Sequence, residues 1–142
     1  MKTQMLRIAV ITMTLLAALA AMAQAPSGVL VNVPFGFVIG DHRLQPGRYA
    51  VTSMGGGILR ISNTEVPANQ MFFAVQSTYS AAPTDPKLVF HRYGDTYFLA
   101  QIWNGSDVGK EVPKSKEEKE ILAARLKGSR SKSEVAVLRP ER

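Results

Sequence analysis

Residues 87 to 103, KLVFHRYGDTYFLAQIW, restrict the fold more than any other stretch of the chain. Two apolar and aromatic runs flank Gly94-Asp95, and glycine at the first central position of a two-residue loop marks a type II′ β-hairpin. The register follows from that loop: Tyr93 faces Thr96, Arg92 faces Tyr97, His91 faces Phe98, Phe90 faces Leu99 and Val89 faces Ala100. Side chains alternate along a strand. One face is therefore expected to carry Val89, His91, Tyr93, Thr96, Phe98, Ala100 and Ile102, and the other Leu88, Phe90, Arg92, Tyr97, Leu99, Gln101 and Trp103. Both faces are largely apolar, so the hairpin is expected at the centre of its sheet with a cover on each side.

What precedes the first cover reads as an address. Lys2 and Arg7 form a positive region, Ile8 to Met22 an apolar run, and Ala21-Met22-Ala23 a small-x-small cleavage site, the pattern of a secretory signal peptide over residues 1–23. Cleavage is expected after Ala23, because the alternative after Ala25 would place Pro26 directly behind the cut. Lys2 and Arg7 leave with the signal, taking the formal charge from +6 to +4. Residues 24–142 then form a single small β-rich domain, exported to the periplasm or beyond, with no transmembrane segment after cleavage. The chain has no cysteine. Disulfides, thiol nucleophiles and thiolate metal ligands are excluded, and packing alone must hold the domain.

Turn signals divide that domain into short strands. From Gly28, GVLVNVPFGFVIGDHRL puts Val29, Val31, Val33, Phe35 and Phe37 on one face, with a break expected at Pro34 because proline cannot donate to a central ladder. Gln45-Pro46-Gly47-Arg48 has the chemistry of a type II turn and leads into Tyr49 to Thr52. Gly55-Gly56-Gly57 is a turn before Ile58 to Ser62; no Lys-Ser/Thr follows it, as a phosphate loop would require. Met71 to Ser80 reads as one strand with Met71, Phe73 and Val75 on one face. Ala81 to Pro86 is a loop delivering the chain to the hairpin, which ends sharply at Asn104-Gly105. Ser115-Lys116-Glu117-Glu118 is a capping box opening a helix over about 115–127, with Ile121, Leu122 and Leu126 as its apolar stripe, Glu117, Glu118 and Glu120 in its solvated first turns, and Gly128 behind it. A polar linker, Ser129 to Ser133, precedes a possible last strand at 134–138. About six or seven antiparallel strands with one C-terminal helix imply a mainly β fold, a small β-sandwich or partly open barrel.

Few residues suggest chemistry. His42 and His91 are the only histidines, no metal-binding spacing surrounds them, and neither a metal nor another cofactor is expected. No G-x-S-x-G elbow is present, and no paired carboxylates stand out. A small hydrolase or lyase using His91 or His42 with an aspartate is the enzymatic alternative, and a lipocalin-like carrier of an apolar ligand a further one. Arg92, Tyr97 and Trp103, polar tips on one mostly apolar hairpin face, are the candidate ligand-binding set. Asn104-Gly105-Ser106 matches a glycosylation sequon, though Asn-Gly is equally a turn. The basic end, with Arg125, Lys127, Arg130, Lys132, Arg139 and Arg142, lacks the interleaved aromatics of a nucleic-acid surface. The expected partner is an envelope polymer or a protein, and not a nucleic acid.

At Val33-Pro34-Phe35, Phe37, Ile39-Gly40-Asp41, Leu44, Gly47-x-Tyr49-x-Val51, Tyr93-Gly94-Asp95-x-Tyr97-Phe98-Leu99, Trp103, Ser115 and Glu118-x-Glu120, the chain resembles a family of small secreted bacterial β-domain proteins without known function. Where that family carries Leu-Pro-Ala-Gly before the tyrosine, Leu44-Gln45-Pro46-Gly47 keeps the glycine and moves the proline. The resemblance implies export and a β-rich domain and brings no activity or site. The expectation is a non-enzymatic exported β-domain that binds or scaffolds in the cell envelope or outside it, with any function at the ends of the hairpin.

Overall fold

A computed structural model describes residues 28–66, 70–128 and 134–140. The leader with its expected cleavage site and the 129–133 linker lie outside the described residues. The strands are β1 (Gly28–Val33), β2 (Phe37–Ile39), β3 (His42–Leu44), β4 (Gly47–Gly55), β5 (Ile58–Asn63), β6 (Gln70–Ala74), β7 (Gln76–Tyr79), β8 (Lys87–Tyr93), β9 (Thr96–Trp103), β10 (Val108–Glu111) and β11 (Glu134–Leu138), with helix α1 (Lys116–Lys127). They build a mainly β, two-sheet sandwich. A four-stranded sheet runs β1-β4-β5-β6; the larger sheet runs β11-β8-β9-β10-β7, with β2 and β3 attached through β9. Among the described residues no helix is long and apolar enough to cross a membrane.

The β8–β9 hairpin lies inside the larger sheet, as its two apolar faces require. Gly94 has φ 64°, and the first pairs are Tyr93 with Thr96, Arg92 with Tyr97, His91 with Phe98 and Phe90 with Leu99. The next expected pair is not made: Val89 faces Gln101 and Leu88 faces Ile102. Ala100 is the extra residue of a β-bulge, and its carbonyl instead accepts from Val112 N–H at 2.8 Å. A one-residue slip exchanges the faces beyond it. Ile102 thereby enters the interior with Leu88 and Phe90, while Gln101 and Trp103 turn to the opposite side.

Each face of the hairpin has its own cover. Between the sheets, Val31, Val33, Tyr49, Val51, Leu59 and Ile61 pack against Phe90, Leu99 and Ile102. On the outside, Ile121 and Leu122 of α1 pack on Val38, Tyr93 and Phe98. Strand β2 serves both clusters: Phe37 and Ile39 point inward, Val38 outward, and all three are buried. It runs parallel to β9, and burial on both faces is the habit of parallel strands.

The larger number of strand segments comes from sites where the chain changes sheet. Pro34-Phe35-Gly36 separates β1 in one sheet from β2 in the other, at the break that Pro34 marks. The 71–80 run is not one strand: it changes sheet at buried Val75, whose N–H donates to Gly57 O at 2.8 Å. His42 stands in a three-residue strand, and the segment after Gly105 contains β10. Gly47 does not take the positive φ of a type II turn; it is the first residue of β4, paired with Val33, and a Cβ there would come within 3.1 Å of Asn63 Nδ2.

Trp103 lies flat against Gly109, where a Cβ would stand 2.8 Å from ring atoms Cδ2 and Cε3. A methyl group cannot enter without moving the indole or the strand. Gly109→Ala is expected to lower the unfolding free energy by roughly 1–3 kcal/mol, read as a lower urea midpoint. Trp103 is the sole tryptophan, so its emission should shift as well; an unchanged midpoint and spectrum would contradict this packing.

Candidate functional site

The three residues expected to share a ligand face are separated by the bulge. Arg92 and Tyr97 stay cross-strand neighbours, with the guanidinium 5.5 Å from the Tyr97 ring centroid and Phe35 stacked on Tyr97 at 3.9 Å. Arg92 also donates from Nε to Gly94 O at 2.8 Å and pairs with Glu134 at 3.1 Å, tying the turn to β11. Trp103 is on the opposite face at the other end of β9, 6% exposed, with its Nε1–H donated to Gln101 Oε1 at 3.2 Å and Lys87 Nζ 5.9 Å from its ring. None of the three lines the hollows described below.

His91 has a carboxylate partner, but it is Glu118 rather than an aspartate. Ser115 caps α1 by accepting from Glu118 N–H at 3.1 Å. The Glu118 carboxylate turns toward the sheet, where Oε1 lies 2.8 Å from His91 Nδ1 and accepts from Tyr93 OH at 3.0 Å. Glu118 is 3% exposed and does not belong to a solvated helix start. Positions 118, 121, 122 and 125 share one face of a helix. Glu118, Ile121, Leu122 and Arg125 meet the sheet there, with the Arg125 guanidinium 4.9 Å from the Tyr93 ring centroid. Leu126, expected in the apolar stripe, is 86% exposed. Apolar spacing alone chose it over Glu118 and Arg125, whose partners come from distant parts of the chain.

Other expected candidates have local roles. His42 contacts Phe73 edge-on at 5.7 Å. In the Asn104-Gly105-Ser106 turn, Gly105 has φ 99°. Ser106 Oγ lies 2.9 Å from Asn104 Oδ1 and accepts from Val108 N–H at 3.2 Å. Of the basic end, Arg130, Lys132 and Arg142 lie outside the described residues.

Among the described residues, three of the surface hollows lie at strand ends. The first, of about 250 Å³, opens between the sheets and has Val29, Val51, Leu59 and Ile102 as its floor. Ser53, Asn104, Ser106, Val108 and Lys110 complete it. Lys110 is the cross-strand partner of Ile102, so it projects toward the other sheet, and its Nζ donates to Ser77 Oγ at 3.0 Å. A second hollow of about 370 Å³ is bounded by Gly40, Phe73, Val112 and the start of α1. The third, about 520 Å³, lies among Arg43, Tyr49, Asn63, Val66 and Gln70. The inward turn of Lys110 had no signal in the sequence, because β10 reads as a polar connection and its register is set by β9.

Burial, followed by the hydrogen bond and charge of Glu118, pushes the Tyr93 hydroxyl from 10.0 up to about 12, with Arg125 pulling the other way. A folded-state value above the unfolded one stabilises fully below pH 10 and is lost as pH rises from 10 toward 12. Between pH 9 and pH 11 the protein should lose on the order of 1 kcal/mol more stability than Tyr93→Phe, in which this titration is absent. Urea unfolding of both at the two pH values measures the difference. Equal losses would show that Tyr93 titrates alike in the folded and unfolded chain.

Comparison with protein-family models, curated proteins and solved structures finds no match to this chain.

Proposed function

We propose that this chain is an exported, non-enzymatic β-domain that binds a small amphipathic molecule at the open end of its sandwich, in the cell envelope or outside the cell. The observation that carries the reading is Lys110. It stands on the same sheet face as buried Ile102 and lines a hollow whose floor is the buried residues Val29, Val51, Leu59 and Ile102. An apolar floor with a few convergent polar groups is the usual form of a small-molecule site. The floor suits a short hydrocarbon chain; Lys110, Ser53, Asn104 and Ser106 suit an acidic or hydrogen-bonding head. Its position beside Asn104 agrees with a function at the hairpin's end. The leader and the likeness to small secreted β-domain proteins support export.

A hydrolase built on His91 is the weaker reading. His91 and Glu118 at 2.8 Å have the geometry of a base and its orienting carboxylate. Tyr93 also binds Glu118, but its hydroxyl is pushed up to about 12, against the direction that activates a nucleophile.

Octanoate is a suitable probe. Titration followed by methyl NMR should give saturable shifts at Val51, Leu59 and Ile102. Ser53→Trp, placing a ring at the rim, should weaken binding by at least ~10-fold. Lys110→Gln should weaken octanoate more than octanol, because only the acid loses a charged partner. Shifts elsewhere on the molecule, or no effect of Ser53→Trp, would refute the assignment. Ester turnover abolished by His91→Ala would favour the hydrolase instead.

A further inference from the structure

One edge of β9 is shared by two short strands that approach each other head-on. Strand β2 runs parallel beside Tyr97 and Phe98, and β10 runs antiparallel beside Ile102 and Gln101. Both stop near the Ala100 bulge. β2 turns away through Gly40-Asp41 into β3, and β10 leaves through Val112-Pro113 toward α1. The diverging chains leave the crevice of about 370 Å³, bordered by half-buried Phe73 from the other sheet. Gly40, at φ 55°, lies against that ring, since a Cβ there would stand 3.5 Å from Cδ1 and Cε1.

The charge around this crevice is net positive. Lys114, Lys116 and Lys119 line it, with Asp41 the one acidic lining residue. Of the acids adjacent to these lysines in sequence, Glu117 pairs with Arg43 at 2.8 Å, Glu118 is turned inward to His91 and Tyr93, and Glu120 is exposed and does not line the crevice. Among the described residues, no ion pair involves any of the three lysines. The start of α1 is already capped by Ser115, so the attraction comes from the side chains rather than the helix end. Lysines on a flat surface are ordinary solvated residues; here they border a concavity that also contains an aromatic ring.

We propose that this crevice binds an anionic saccharide, a sugar bearing a carboxylate or phosphate. The lysine ammonium groups take the acid as compact point charges. Phe73 takes the apolar side of the sugar ring. The open shape and single aromatic residue leave no channel for an acyl chain. The site is separate from the hollow at Lys110 and does not depend on it.

The test uses the purified protein at low ionic strength, with trigalacturonate and glucose 6-phosphate as the two acidic sugars, the neutral methyl ester of the trimer, and inorganic phosphate as an acid without a ring. At least one acidic sugar should bind saturably with amide shifts at Gly40, Phe73, Val112 and Ser115, and the one that binds identifies the acid. The Lys116→Gln, Lys119→Gln double variant, altering only exposed residues, should weaken that sugar by at least ~10-fold. The methyl ester should be weaker than its acid by a similar factor if trigalacturonate is the ligand. Phe73→Leu should weaken the sugar while leaving inorganic phosphate unchanged, whereas Lys110→Gln should alter neither. Absence of saturable binding by both acidic sugars, equal affinity in the double variant, or shifts confined to the Lys110 hollow or the basic C-terminal end would overturn the proposal.

Discussion

The β8–β9 pair is apolar on both faces, and a strand pair of that kind is stable in water only when both faces are covered. Burying a side chain such as Phe90 or Phe98 contributes about 1.5–3 kcal/mol, and the two lie on opposite faces, at 0% and 2% exposure. One cover is the four-stranded sheet, which supplies a broad apolar surface. The other is α1, which offers only Ile121 and Leu122. Its contact is therefore completed by polar groups: Glu118 reaches His91 and Tyr93, and Arg125 lies over the Tyr93 ring. The exposed Arg43–Glu117 pair contributes at most about 1 kcal/mol. A buried carboxylate deprived of its partner costs about 3–5 kcal/mol. Glu118 is consequently the helix's critical connection to the sheet, and its commitment there removes an acid from the lysine-lined crevice.

The Ala100 bulge links the core to the surface. Its extra residue turns Ile102 inward and Trp103 outward, and it presents a carbonyl to Val112 where β10 ends. Because β2 and β10 divide one edge of β9, neither extends along the full strand. The junction is a crevice, while the C-terminal end of β9 borders the hollow lined by Lys110. Both concave regions lie at strand ends, where backbone ladders stop and polar side chains remain accessible. The middle of the hairpin is filled with packed aromatics and aliphatics, so the set Arg92, Tyr97 and Trp103 is dispersed into local stacking and hydrogen bonds.

Local chemistry was legible wherever one residue type imposes a conformation. Gly94 marked the hairpin turn, Pro34 marked the end of β1, Ser115 marked the start of α1, and the alternation of Val29, Val31 and Val33 marked a one-sided strand. The failures share a physical cause. Val75 fits a continuous alternating strand, yet a bond to Gly57 diverts it between sheets; Glu118 fits a capping box, yet His91 and Tyr93 offer partners that its own segment lacks.

The sequence by itself determined the mainly β class, the central hairpin with two buried faces, and the positions of the helix and last strand, because alternation, turn glycines and caps act over a few residues. Only the tertiary structure decided the bulged register, the division of β9's edge, and which polar groups face a hollow. Those outcomes depend on packing and hydrogen bonds between residues far apart in the chain, as with Ala100 and Val112, or Lys110 and Ser77. Local sequence patterns do not encode these pairings.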